Sequence, residues 1–127
     1  PANIMSATYC APAPLDAAAL ARLRALDPEG RNGVLVRVLA AFETSLARTL
    51  GQLAALPDPA DAAVVAGVAH TLKSSSASVG ALHLASTCEE LERRLRGTQA
   101  AVQRHEIERL IAVGEAALTT VRAMLRA

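Results

Sequence analysis

Apolar residues recur every three or four positions in five stretches of this chain, separated by Pro, Gly and Asp, and that spacing predicts helices. Leu20, Leu23 and Leu26 follow Asp16, a suitable cap, and predict a short first helix from about Ala17 to Leu26, stopped by Asp27-Pro28. Leu35, Val38, Leu39, Phe42, Leu46, Leu50 and Leu53 predict a long amphipathic helix from Asn32-Gly33 to about Leu56, ended by Pro57. Asp58 as a cap and Pro59 at the first helical position predict a third helix starting there and running to about Val79, with Val64, Val65, Val68, Leu72 and Val79 as its core stripe. A fourth helix is expected from about Leu82 to Arg96, with Leu84, Cys88, Leu91 and Leu95 inward and Glu89, Glu92, Arg93 and Arg96 mostly outward, stopped by Gly97. The last, from about Ala101 to Leu125, carries Ile107, Leu110, Ile111, Leu118, Val121 and Leu125 on one stripe, where Gly114 and Ala117 would let a neighbouring helix approach closely.

Four long amphipathic helices on short connections imply an all-α fold, an antiparallel four-helix bundle with a short additional N-terminal helix. Only Gly80, suited to a positive backbone dihedral, separates the third and fourth helices, so these two should form a hairpin. Residues 1–14 are rich in Ala and Pro without a sustained period and read as a linker or flexible tail. Residues 15–127 are then the helical bundle domain, one domain by length.

On the third helix His70 points away from the apolar stripe. Its face is shared by Ala63, Ala66, Gly67, Lys73, Ser74 and Ala77, so a large partner can come close to the imidazole. From periodicity alone the plain reading is a solvated surface histidine. Composition changes that reading, because twelve of the thirteen basic residues are Arg and Lys73, one turn after His70, is the only lysine. Thirteen basic against twelve acidic residues give a net charge of +1, too balanced for nucleic acid or an anionic membrane as the main partner. No apolar run is long enough for a membrane span and the start lacks a secretory pattern, so a cytoplasmic location is expected. Cys10 and Cys88 are not spaced as a metal site or a disulfide framework.

Several chemistries are poorly served. His70, His83 and His105 fall on different helices without paired spacing, which argues against a metal site. Ser75 and Ser76 are expected on the core side of their helix, and Ser74 has no oxyanion donors around it, so the serines read as small packing residues rather than nucleophiles. What remains is the imidazole itself as a group that takes up a phosphoryl and gives it away, with Lys73 placed to meet the negative charge. No acidic cluster beside His70 for Mg²⁺ and no glycine-rich phosphate loop is legible, so a partner would supply the rest.

The stretch His70-Thr71-Leu72-Lys73-Ser74-Ser75-Ser76-Ala77-Ser78-Val79-Gly80-Ala81, followed by Leu84, Cys88 and Leu91-Glu92, resembles the signature of histidine-containing phosphotransfer (HPt) domains. The resemblance covers the hairpin of the third and fourth helices. It implies a phosphorelay intermediate of two-component signalling, without independent turnover, in which His70 accepts a phosphoryl group from a receiver-domain aspartate and passes it to another. Lys73 carries over as the lysine that stabilises phosphoryl charge, and Gly80 as the turn glycine. Ser74 stands where family members commonly have glycine, on a docking face formed with Ala63, Ala66, Gly67 and Ala77. The implied partners are receiver domains of response regulators, a hybrid histidine kinase, or both. The chain itself is expected to be a monomer that binds no cofactor and contacts neither nucleic acid nor membrane, with Mg²⁺ held by the receiver. The rival reading is a phosphorylation-independent helical adaptor using the same face.

Overall fold

The structure, a computed structural model, describes residues 11–97 and 101–127. Helices form in all five expected stretches: α1 (Ala17–Ala25), α2 (Val34–Ala54), α3 (Ala62–Ser78), α4 (Leu82–Leu95) and α5 (Arg104–Arg126). Asp16 caps α1 as expected, its carboxylate accepting from the Ala19 N–H at 3.1 Å. Among the described residues there is no strand, and no helix is long and apolar enough to cross a membrane. Of the segment expected as a linker, residues 1–10, Cys10 among them, lie outside the described residues.

Two helix starts differ from expectation, for one reason. The Ala60 N–H donates to the Val102 carbonyl at 3.2 Å and the Val102 N–H returns the bond to Ala60 at 3.0 Å, an isolated antiparallel bridge between the two loops at one end of the bundle. A backbone committed to such a bridge cannot also enter a helix. The third helix is therefore capped by Asp61, whose side chain accepts from the Ala63 N–H at 2.9 Å, and not by Asp58 with Pro59 following. The fifth starts at Arg104 rather than near Ala101. There Gln103 and Glu106 form a reciprocal capping box.

Helices α2 to α5 close a ring in which α3 packs mainly on α4, and α2 mainly on α5. Leu46, Leu53, Val65, Leu84, Ile107, Leu110, Val113 and Val121 are fully buried at its centre. Each buried aliphatic side chain of this kind contributes roughly 1.5–3 kcal/mol. Gly114 lets Leu50 of α2 pack directly on α5, since a Cβ there would come within 2.6 Å of Leu50 Cδ2 and oblige that side chain to shift.

The stripe of α3 is narrower than its sequence suggests. Val65, Ala69, Leu72, Ser76 and Val79 face the core, while Val64 is 47% exposed and Val68 only half-buried. Val64 lies about 100° around the helix from Val65, and α3 is pressed most closely against α4, which leaves that flank uncovered. Leu26, expected as an apolar contact of the first helix, is also exposed, because α1 has already ended.

Gly80 has a φ of 82°, as its place between two helices requires. The Ala81 N–H donates to the Ser76 carbonyl at 2.9 Å and the Gly80 N–H to the Ala77 carbonyl at 3.1 Å, the two bonds of a Schellman terminus. The turn sends α4 straight back along α3.

Candidate functional site

Because Val65, Ala69, Leu72, Ser76 and Val79 turn inward, His70 stands outward with Lys73, Ser74 and Ala77 along the same face of α3. The His70 side chain is 65% exposed. It is not free, however. Its Nδ1 lies 2.8 Å from Glu92 Oε2, across the hairpin on α4, and the Lys73 ammonium donates to Glu92 Oε1 at 2.8 Å.

Glu92 corrects the outward placement expected for it, since its side chain is only 15% exposed. It flanks Leu91 on the edge of the apolar stripe of α4, and the packing of the hairpin turns that edge toward α3. A signal was present in the sequence. His70 lies ten residues before Gly80 and Glu92 twelve after it, so an antiparallel hairpin with its turn there brings them level.

The carboxylate fixes the chemistry of the ring. An ionised Glu92 only accepts hydrogen bonds, so Nδ1 must carry the proton. In the neutral ring Nε2 is then the nitrogen with the available lone pair. Hydrogen bonds from Lys73 and then His70 hold the Glu92 carboxyl below its ordinary value of 4.5, against the opposing effect of its partial burial. Beneath this pair, Cys88 is fully buried, and burial, reinforced by the Glu92 charge, pushes its thiol up to about 12. It is a core residue and no nucleophile at neutral pH.

The residues around the imidazole are small. Ala63, Gly67, Ser74 and Ala77 are exposed and Ala66 is half-buried. Ala63 and Gly67 open into a groove of about 420 Å³ between α2 and α3, whose walls include Ser45, Thr49, Thr71 and Ser75 and contain no charged residue. Ala66, Ser74 and Ala77 lie outside that groove. Ser75, expected on the core side, is only half-buried at this rim, and its hydroxyl donates back to the Leu72 carbonyl at 3.2 Å. Ser76 is buried as expected. His83 and His105 stand apart on α4 and α5, and among the described residues no three potential ligands converge as a metal site.

The structure thus places an exposed histidine on a face of small residues, midway along one arm of a helical hairpin. The sequence model of the Hpt domain matches residues 37–127, from within α2 to the end of α5. The chain belongs to the Hpt domain family. No curated protein and no solved structure matches it significantly. Hpt domains are phosphotransfer modules of two-component signalling that work with receiver domains and histidine kinases, and in this one α1 precedes the matched region.

Proposed function

We propose that this Hpt domain is a phosphorelay intermediate that carries a phosphoryl group on Nε2 of His70. The observation that carries the reading is the His70–Glu92 pair, which leaves the lone pair of Nε2 available on an exposed ring held at Nδ1. Nε2 attacks the phosphorus of an aspartyl phosphate on one receiver domain, the acyl oxygen–phosphorus bond breaks, and the aspartate leaves as a carboxylate. The proton stays bonded to Nδ1 throughout, donated in a hydrogen bond to the Glu92 carboxylate. A second receiver aspartate takes the group by the same step in reverse, with Mg²⁺ held by the receiver.

Lys73 is the charge partner of the transferred group. It is engaged with Glu92 at rest, so it moves toward the phosphoryl oxygens as negative charge arrives at Nε2. The face of Ala63, Ala66, Gly67, Ser74 and Ala77 admits the receiver, and Ser74 adds a hydroxyl without blocking the approach. The domain acts as a monomer in the cytoplasm and has no turnover of its own. The test is incubation with a phosphorylated receiver domain and Mg²⁺. Label is expected on the wild-type chain and not on His70→Gln, and label on that variant overturns the proposal. Full cellular function in His70→Gln would favour an adaptor that binds without phosphorylation.

A further inference from the structure

The α3–α4 turn is gripped from outside the family-matched region. The Asp16 N–H donates to the Gly80 carbonyl at 2.8 Å. A Cβ on Gly80 would lie 2.7 Å from the Asp16 nitrogen, 3.0 Å from its carbonyl oxygen and 3.1 Å from Ala19 Cβ, so the glycine serves this contact as well as its own backbone conformation. Leu15, Ala19 and Leu20 are buried around it. The lead-in to α1 is anchored on another helix too, because the Thr120 hydroxyl of α5 donates to the Ala13 carbonyl at 3.0 Å.

We infer that α1 and residues 13–16 form a latch on the phosphotransfer hairpin, whose docking orders the Gly80 turn and with it the alignment of His70 against Glu92. The nine residues of α1 are too few for a helix to persist alone in water, so its folding and its docking are one event. On the other side, α4 begins without a side-chain cap and follows α3 with only the turn between them. The two residues of the pair sit on different helices, so their distance depends on how α4 is held against α3. Local opening of the turn loosens that hold without global unfolding.

The experiment uses the full chain with Ala19→Arg, which forces a long charged side chain into the latch contact and leaves the hairpin sequence untouched. Amide hydrogen exchange at Gly80 and Ala81 is expected to accelerate about tenfold, with less than about twofold change at Leu46 and Leu110. The His70 ring nitrogens are expected to shift in ¹⁵N spectra toward a mixture of tautomers. Thr120→Val, which removes the hydroxyl that bonds the Ala13 carbonyl at 3.0 Å and, at the longer distance of 3.3 Å, the Ala116 carbonyl of its own helix, is expected to act in the same direction at about threefold, and it serves if Ala19→Arg unfolds the bundle. Unchanged turn exchange in both variants, or faster exchange with unaltered His70 resonances, overturns the inference and leaves α1 as a cover for the core. Neither readout requires phosphoryl transfer, so the outcome is independent of the proposed function.

Discussion

His70 Nδ1 and Glu92 Oε2 lie 2.8 Å apart across the α3–α4 hairpin, and the carboxylate that accepts the hydrogen bond from Nδ1–H is the same one that accepts from the Lys73 ammonium. One acidic side chain therefore sets both the tautomer of the ring and the resting position of the lysine. Removing the group that orients a reactive imidazole costs about 10- to 100-fold in well-studied metal sites. Glu92→Ala is expected at the lower end, with phosphoryl acceptance slowed about tenfold. Glu92→Gln keeps an acceptor for Nδ1–H but drops the charge, and is expected to lose about threefold. Receiver-to-histidine transfer rates measure both, and ¹⁵N spectra should show mixed tautomers in Glu92→Ala alone.

Acid should weaken the pair before it unfolds the core. The Glu92 carboxyl is held below its ordinary value of 4.5 in the folded chain, so its contribution to stability is fully present above that pH and is lost as pH falls through the lowered value. Thermal melts taken from about pH 6 down to about pH 3 should show a decline that is shallower in Glu92→Gln. Equal slopes in the two proteins would remove Glu92 from the acid response.

Lys73→Ala leaves the fold intact, because the side chain is about one-third exposed and lies outside the core. Its interaction is partly screened, so transfer is expected to slow only about two- to fivefold. Phosphohistidine decay should quicken in parallel. Following both rates in one time course checks this, and no change in either would sink the role assigned to Lys73.

Cys88 should resist thiol reagents in the native state. The thiol is fully buried and its ionisation is pushed up to about 12, so almost no thiolate exists near neutral pH. Maleimide labelling of Cys88, followed by mass spectrometry of its peptide, is expected to become fast only after denaturant opens the bundle. Rapid native labelling would contradict the packing described for α4.

Neighbouring valines on α3 should differ sharply. Val65→Ala removes two methyl groups from a fully buried position and is expected to cost about 2 kcal/mol, or roughly 6–10 °C in Tm. Val64 is 47% exposed, and Val64→Ala is expected to stay within about 0.5 kcal/mol of wild type. Comparable losses at both positions would restore the wider stripe that periodicity suggests.

Much of this architecture is written locally. Helical periodicity, Asp16 as a cap, the Gly80 break and the outward direction of His70 each depend on residues within a turn or two of one another, and such short-range preferences can be read along the chain. The lone lysine beside His70 is likewise visible in the one-dimensional text. Only the folded arrangement decided which edge of α4 faces α3 and so brought Glu92 to His70, because helix rotation is set by packing and not by spacing. The same holds for the Ala60–Val102 bridge, which moved two helix starts by pairing loops some forty residues apart. It holds too for Asp16 on Gly80, a contact between backbone atoms that no side-chain pattern encodes. Local sequence determined where the His70 imidazole would stand, and tertiary packing decided what holds it.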